Sequence, residues 1–167
     1  QFAPGRLEAF ELYEHRAALM QENFERLGVG VECKVWDASV FCQENEQAFD
    51  CVLVDAPCSA LGLLYRKPDI KYTKTPEEIA QLSQTQKSIL TACAEYVKPG
   101  GRLVYSTCTM SREENEENIA WFLKKFPQYR QANLAAMLPE RLMSRARGGT
   151  LQLFPHLDGI DGFFLAV

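Results

Sequence analysis

Two cysteines occupy matching positions in this sequence, each just after an apolar run that predicts a buried strand. Cys58 follows the run that ends at Asp55, and Cys108 follows the run that ends at Ser106. If the two strands are parallel neighbours, both thiols face one cleft, because open parallel sheets bind ligands at the carboxyl ends of their strands. A pair of thiols in such a cleft predicts covalent chemistry.

The surroundings of Cys58 and Cys108 favour reactivity. Each thiol lies in a loop with Pro, Ser or Thr neighbours, and a helix predicted to begin near Ser111 directs its positive end toward Cys108. A helix N-terminus lowers the pKa of a thiol from its free value of about 8.5, which increases the thiolate fraction. Three other cysteines are better explained as small apolar core residues, namely Cys33, Cys51 and Cys93.

Acidic residues recur at the ends of predicted strands, at Glu11, Asp37 and Asp55. Any one of them alone is better explained as a helix cap or a solvated loop residue. Three along one rim of a parallel sheet could bind ribose hydroxyls, an adenine amino group and a cationic centre. It is therefore the set of three that indicates a ligand site.

The cysteine and histidine content gives little support to a metal site. The sequence has six cysteines and two histidines, and no two cysteines form a C-x-x-C pair. With 167 residues, 47% of them hydrophobic, the chain can also bury a core without disulfides. The sequence therefore predicts free thiols and no metal.

Composition and charge indicate where the protein is located and which partners it can bind. No apolar stretch is long enough to span a bilayer and no signal peptide opens the sequence, so we expect a cytoplasmic protein without a membrane partner. The net charge of −4 argues mildly against nucleic-acid binding. Two basic clusters, at residues 66–74 and 141–147, could overrule that average or could be merely solvated faces.

Strands alternate with helices along the sequence. One helix ends at Gly28, another begins with a capping box of Thr75 and Glu78, and a third begins with a capping box of Ser111 and Glu114. This alternation predicts an α/β fold with a mostly parallel, doubly wound sheet that ends in a hairpin-like pair of strands. The predicted strands are residues 7–12, 31–36, 49–55, 102–106, 151–154 and 162–167, and residues 98–101 are predicted to close the second helix.

The start of the sequence departs from this fold pattern. Residues 1–6 lead straight into a strand, without the glycine-rich strand-to-helix turn of a nucleotide-binding fold. We therefore expect residues 1–167 to be part of a domain whose first strand and glycine-rich turn lie elsewhere in a longer protein.

Four segments of the chain together resemble a known family. They are DAPCSALG at residues 55–62, RKPDIK at 66–71, YSTC at 105–108 and DGFF at 161–164. In this order they are similar to successive motifs of the RNA cytosine-5 methyltransferases of the Nop and Sun family, above all its bacterial ribosomal RNA enzymes. The resemblance implies a Rossmann-like fold, S-adenosylmethionine as cofactor and small-subunit ribosomal RNA as substrate. It also implies that residues 1–167 are part of the catalytic domain, and that the family's cofactor loop and RNA-binding segment lie elsewhere in the longer protein.

The resemblance also implies roles for individual residues. Cys108 would be the nucleophile that adds to cytosine C6, Cys58 would assist its release, and Asp55 would lie between cofactor and base. Glu11 would bind the cofactor ribose, and Asp37 would lie near its adenine. The RNA side would be lined by Arg66, Lys67 and Lys71. Thr109 stands where the family commonly has serine.

Three other functions compete with RNA methylation. A module that keeps the sheet but lacks transfer activity would explain the missing glycine-rich turn. A redox protein could use Cys58 and Cys108 as a reversible dithiol. A DNA cytosine methyltransferase would use the same chemistry with Cys58 as the nucleophile.

Overall fold

Strands and helices alternate along the chain in the computed structural model, which describes residues 5–167. The predicted lead-in at residues 1–6 therefore lies mostly outside the described residues. The strands are β1 (Glu8–Glu11), β2 (Glu32–Val35), β3 (Phe49–Asp55), β4 (Val97–Thr107), β5 (Thr150–Leu153) and β6 (Phe163–Ala166). The helices are α1 (Glu14–Leu27), α2 (Ile70–Thr73), α3 (Pro76–Ala94), α4 (Glu116–Lys125), α5 (Glu140–Met143) and α6 (Pro155–Asp158).

The strands of the described residues form two sheets. The larger sheet has the order β3-β4-β6-β5, in which β3 and β4 are parallel. β6 runs antiparallel to β4 and to β5, which confirms the predicted hairpin-like pair at the end of the chain. β1 and β2 form a separate parallel pair, which contacts the core where Phe10 packs edge-on against Tyr96.

Helix α3 begins as the sequence predicts. The Thr75 hydroxyl accepts a hydrogen bond from Glu78 N, and the Glu78 carboxylate accepts one from Thr75 N. Pro76 occupies the first turn, where a missing N–H costs nothing. The predicted end of α1 is also confirmed, since Gly28 takes the left-handed conformation with φ 67°.

The predicted start of α4 is wrong. Ser111 does not cap the helix, because its hydroxyl donates instead to the Glu113 carboxylate at 2.7 Å. Glu114 is fully buried and accepts hydrogen bonds from Ser59, so it is not free to complete a capping box. The helix begins later, at Glu116.

The predicted turn at residues 98–101 is also wrong. α3 has already ended at Ala94, and these residues lie inside the long strand β4. The register with β3 shifts between Phe49, which pairs with Val97, and Cys51, which pairs with Arg102. An irregularity in the β3–β4 ladder therefore accommodates the extra residues of β4, with Gly100 at φ 81° supplying a conformation that other residues rarely adopt.

The core lies where α3 and α4 cover the larger sheet. Tyr105 on β4 and Phe164 on β6 are almost completely buried and meet edge to face, with ring centroids 6.3 Å apart. Leu90 of α3 and Phe122 of α4 belong to the same cluster. This packing fixes the carboxyl ends of β3 and β4, from which the two cysteine loops emerge.

Candidate active site

The two cysteine loops leave neighbouring parallel strands side by side. Asp55 at the end of β3 pairs with Ser106 near the end of β4, so the loops begin at the same level of the sheet. The sulfur atoms of Cys58 and Cys108 lie 3.3 Å apart, within hydrogen-bonding distance. The predicted parallel neighbours are therefore present in the structure, and both thiols lie at the same edge of the sheet.

The hydrogen bond between the sulfurs separates the acidities of the two thiols. A hydrogen bond from Cys58 lowers the pKa of Cys108 to about 7, although burial and the negative charges of Asp55 and Glu114 act in the opposite direction. The same bond, together with burial, raises the pKa of Cys58. At neutral pH a substantial fraction of Cys108 is thus thiolate, held by a neutral Cys58 thiol.

The cause of this low pKa differs from the sequence-based expectation. The expected cause was the N-terminus of a helix beginning near Ser111. The helix begins only at Glu116, and the contact that lowers the pKa of Cys108 most is the hydrogen bond from Cys58. The arrangement thus depends on the spacing of the two loops, which no local sequence pattern encodes.

Asp55 presents a carboxylate beside the sulfur pair. Its Oδ1 accepts a hydrogen bond from the Ser106 hydroxyl at 2.9 Å, and the side chain is otherwise exposed. A carboxylate has more lone-pair positions than this one bond uses. Asp55 can therefore accept further hydrogen bonds from a ligand at the carboxyl end of β3.

Glu11 and Asp37 lie on the other sheet, at the carboxyl ends of β1 and β2. Glu11 accepts a hydrogen bond from Tyr13 N and forms an ion pair with Arg16. Asp37 Oδ1 accepts hydrogen bonds from the backbone and hydroxyl of Ser39, which lower the pKa of Asp37. Both carboxylates keep acceptor positions that suit the hydroxyl and amino groups of an adenosine moiety.

The three predicted acidic residues thus fall into two groups. Glu11 and Asp37 follow paired strands of the smaller sheet, and Asp55 follows a strand of the larger one. Between residues 5 and 167, no hydrogen bond or ion pair joins Asp55 to either of the others. Their common role in cofactor binding stays a prediction.

The basic segment that contains Arg66, Lys67 and Lys71 is fastened directly to the Cys108 loop. Gly62, just before it, donates its N–H to the carbonyl oxygen of Cys108 at 3.0 Å. A Cβ at Gly62 would overlap the backbone of Gly162, so the close approach requires glycine.

The cationic side chains of this segment point into solvent. Arg66 is exposed and forms an ion pair with Asp161 at 3.0 Å, while Lys67 and Lys71 are exposed beside it. Tyr65 and Tyr72, which the sequence analysis did not single out, are 91% and 82% exposed. Exposed aromatic rings among cations are typical of surfaces that bind unpaired RNA bases.

Sequence reasoning missed a buried polar network behind the sulfurs. Glu114 accepts hydrogen bonds from Ser59 and from Gln86, and the hydroxyls of Ser59 and Thr109 are 2.7 Å apart. Glu114 and Ser59 are 55 residues apart in sequence, so no spacing pattern could have found the contact.

All six cysteines are free thiols, as predicted. Of the three expected in the core, only Cys93 is buried; Cys33 is partly buried and Cys51 is exposed. Within residues 5–167, no group of three or more His, Cys, Asp or Glu side chains is placed to hold a metal ion. The described part of the chain also has no helix both long enough and apolar enough to traverse a lipid bilayer.

Comparison with solved structures identifies the class of protein. The crystal structure of NSun6 from Pyrococcus horikoshii with SFG, an analogue of S-adenosylmethionine, superposes with a TM-score of 0.77 at 29% identity, covering 97% of this chain and 40% of that one. A methyltransferase homolog protein from the same organism superposes with a TM-score of 0.73 at 31% identity, covering 97% of this chain and 52% of the other. The fold is therefore the Rossmann-like fold of S-adenosylmethionine-dependent methyltransferases, and the predicted fold class and cofactor are confirmed at the level of this class.

The family follows from comparison of sequences. The family described as 16S rRNA methyltransferase RsmB/F matches residues 3–167, and the chain belongs to it. The probable ribosomal RNA small subunit methyltransferase B of Bacillus subtilis is 45% identical over 165 residues, covering 96% of this chain. Ribosomal RNA small subunit methyltransferase F of Cronobacter sakazakii is 34% identical over 164 residues, covering 97% of this chain. The chain spans 37% and 34% of these two relatives, respectively, and the resemblance seen in the four motifs is confirmed.

Proposed function

We propose that residues 1–167 form part of the catalytic domain of a cytoplasmic enzyme that methylates cytosine C5 in small-subunit ribosomal RNA. Family membership supports the RNA substrate and the methyl transfer. The observation that carries the cytosine chemistry is the pair of sulfurs 3.3 Å apart, one of which is poised as a thiolate. Methylation of an exocyclic amino group or of a ribose hydroxyl would need no such nucleophile.

The proposed reaction begins with Cys108, because C5 of cytosine is itself a poor nucleophile. The Cys108 thiolate adds to C6, and the ring electrons move toward C5, which becomes electron-rich. Asp55, whose carboxylate accepts a hydrogen bond from Ser106 and is otherwise exposed, would hydrogen-bond the N3 and N4 edge of the base as the charge distribution of the ring changes. S-adenosylmethionine, when bound, supplies an electrophilic methyl group for C5.

Release reverses the first step. A solvent base, water or hydroxide, takes the proton on C5. The electron pair of the C5–H bond restores the C5–C6 double bond, and the bond between C6 and the Cys108 sulfur breaks to return the thiolate. The Cys58 thiol lies within hydrogen-bonding distance of the departing sulfur. By donating a hydrogen bond to the thiolate that leaves, Cys58 assists release in the same way that it prepares Cys108 for attack.

The remaining predicted residues would place the two ligands. Glu11 and Asp37 would accept hydrogen bonds from the ribose hydroxyls and the adenine amino group of the cofactor. Arg66, Lys67 and Lys71 would contact RNA phosphates, which fix the position of the strand without reading its sequence.

Trapping with RNA that carries 5-fluorocytosine tests this proposal. Fluorine at C5 blocks release, so an enzyme incubated with S-adenosylmethionine stays bound through the attacking sulfur. We expect mass spectrometry to map the adduct to Cys108, and Cys108→Ser to abolish it. With ordinary cytosine, the RNA adduct on Cys108 should persist once it has formed in Cys58→Ala, because no thiol then donates to the departing sulfur.

Other outcomes would support the competing functions. An adduct at Cys58 would indicate the mechanism proposed for DNA cytosine methyltransferases. Methylation that continues in both single variants would exclude the covalent mechanism. A folded chain that forms no adduct and does not bind the cofactor would favour a non-catalytic module, and a readily formed disulfide between Cys58 and Cys108 without methyl transfer would favour a redox protein.

A further inference from the structure

Glu114 is a fully buried carboxylate that has no cationic partner within residues 5–167. Desolvating such a group costs on the order of several kcal/mol unless hydrogen bonds compensate. Its oxygens accept three of them, from Ser59 N at 2.9 Å, from the Ser59 hydroxyl at 2.5 Å and from Gln86 Nε2 at 2.9 Å. Core packing does not explain why a carboxylate is buried here, since an apolar side chain would fill the same space without the cost of desolvation.

The partners of Glu114 hold the Cys58 loop on both sides of the cysteine. Gln86 Nε2 also donates to the carbonyl oxygen of Pro57 at 2.8 Å, the residue before Cys58. Ser59, the residue after Cys58, is held by Glu114 through both its backbone N–H and its hydroxyl. The backbone of Cys58 is therefore fixed relative to α3 and to the segment before α4.

A second link joins this loop to the Cys108 loop. The Ser59 and Thr109 hydroxyls are 2.7 Å apart, and each residue directly follows one of the two cysteines. Because the Ser59 hydroxyl donates its single proton to Glu114, the Thr109 hydroxyl must donate to Ser59. Ser111 N in turn donates to the Thr109 oxygen at 3.2 Å. Each of these three groups thus donates its hydrogen bond toward the Glu114 carboxylate.

We propose that Ser59, Thr109 and Glu114 are positioning residues that hold the Cys58 sulfur against the Cys108 sulfur and thereby keep Cys108 in its reactive form. A thiol is a weak donor, so the sulfur–sulfur hydrogen bond depends on a short distance that two free loops would not maintain. The side chains of the three residues are buried behind the sulfurs, where they act through the loops and not on a substrate.

The hydroxyl of Thr109 offers a matched pair of substitutions. Thr109→Val keeps the shape of the side chain and removes the hydrogen bond to Ser59, while Thr109→Ser keeps the hydroxyl. Ser59→Ala removes the same link from the other side and makes the side chain smaller, so it tests the inference even if valine is not tolerated at residue 109.

The test measures alkylation of Cys108 by iodoacetamide as a function of pH, with the labelled cysteine identified by peptide mass spectrometry. In the unsubstituted chain we expect the rate to rise with a midpoint of about 7. In Thr109→Val and Ser59→Ala the midpoint should move toward the free-thiol value of about 8.5, which lowers the rate at neutral pH about tenfold. Thr109→Ser should keep the profile of the unsubstituted chain.

This inference rests on the proposed function, since it takes Cys108 as the reacting group, but its test requires neither RNA nor cofactor. Failure of methylation with the expected alkylation profiles would therefore affect only the proposed function. The inference would be overturned by an unchanged midpoint in folded Thr109→Val and Ser59→Ala, even if circular dichroism showed that both unfold at lower temperature. A midpoint of about 8.5 in the unsubstituted chain would also overturn it.

Discussion

The chemistry of Cys108 depends on a neighbouring residue that is distant in sequence. Cys58 lies on the other loop, and its hydrogen bond is the largest cause of the lowered Cys108 pKa. Free cysteine is mostly a thiol at neutral pH, so without this bond only a small fraction of Cys108 could attack a base. In the proposed mechanism, one thiol therefore serves both to activate the nucleophile and to release it.

Replacement of Cys58 by alanine should shift the pH dependence of attack. Removal of the donor raises the pKa of Cys108 from about 7, so thiolate forms only at higher pH. We expect adduct formation with 5-fluorocytosine RNA to slow about tenfold at neutral pH and to recover in alkaline buffer. Cys51→Ala, which removes an exposed thiol of β3, is the control and should leave the profile unchanged.

Equal pH profiles for Cys58→Ala and the unsubstituted chain would contradict this prediction. The lowered pKa of Cys108 would then need a cause other than the sulfur–sulfur hydrogen bond.

At the scale of elements, helix α3 contributes both to the stability of the fold and to the candidate active site. Its first turn is fixed by the capping box of Thr75 and Glu78, and its buried face carries Gln86, which contacts the cysteine loop. The helix therefore has to begin at the right residue for Gln86 to face the loop.

Thr75→Ala should destabilise the fold. The substitution leaves a backbone N–H of the first turn without its acceptor, which costs about 1 kcal/mol of unfolding free energy. Urea unfolding followed by circular dichroism measures the change. Thr85→Ala on the exposed face of the same helix is the matched control, and a loss as large as that of Thr75→Ala would show that the cap is not the cause.

The segment with Arg66, Lys67 and Lys71 should bind RNA mainly through phosphates. Each phosphate contact contributes a slope of roughly −0.7 to the dependence of log affinity on log salt for a single strand. We expect the double variant Lys67→Ala, Lys71→Ala to weaken RNA binding and to reduce this slope by about 1.4. Fluorescence anisotropy of labelled RNA at several salt concentrations gives both quantities.

The double variant Lys124→Ala, Lys125→Ala, at the exposed end of α4, removes the same charge and is the control for total charge. An equal loss of affinity in this variant would mean that net charge, and not the segment around Lys67, determines binding.

At the scale of the whole molecule, sequence patterns predicted the strands, helix starts and fold class that depend on local periodicity. The apolar run at residues 49–55 predicted β3, the Thr75 capping box predicted the start of α3, and the alternation of elements predicted the α/β class. The patterns failed where distant residues compete for the same groups. Glu114 looked like a capping residue because its spacing from Ser111 is right, yet the buried contact with Ser59 takes its carboxylate.

The division of the acidic residues between two sheets leads to a prediction about the cofactor. Glu11 and Asp37 follow the β1–β2 pair, while Asp55 and the sulfurs follow the larger sheet, so a ligand that contacts all three carboxylates must bridge the two sheets. S-adenosylmethionine has the groups for this, with hydroxyl and amino donors on its adenosine part and, next to it, a cationic sulfonium that carries the reactive methyl group. Binding should therefore couple the sheets and raise the unfolding temperature of the whole chain.

Calorimetric titration of the chain with S-adenosylmethionine tests this last prediction. We expect binding, with Glu11→Gln and Asp37→Asn each weakening it about tenfold or more, because each loses a charge-assisted hydrogen bond. Glu25→Gln, on the exposed face of α1, is the control and should bind as the unsubstituted chain does. A folded chain that releases no heat and shows no rise in unfolding temperature would contradict the prediction. Equal affinities for all four chains would instead show that the cofactor lies away from the β1–β2 pair.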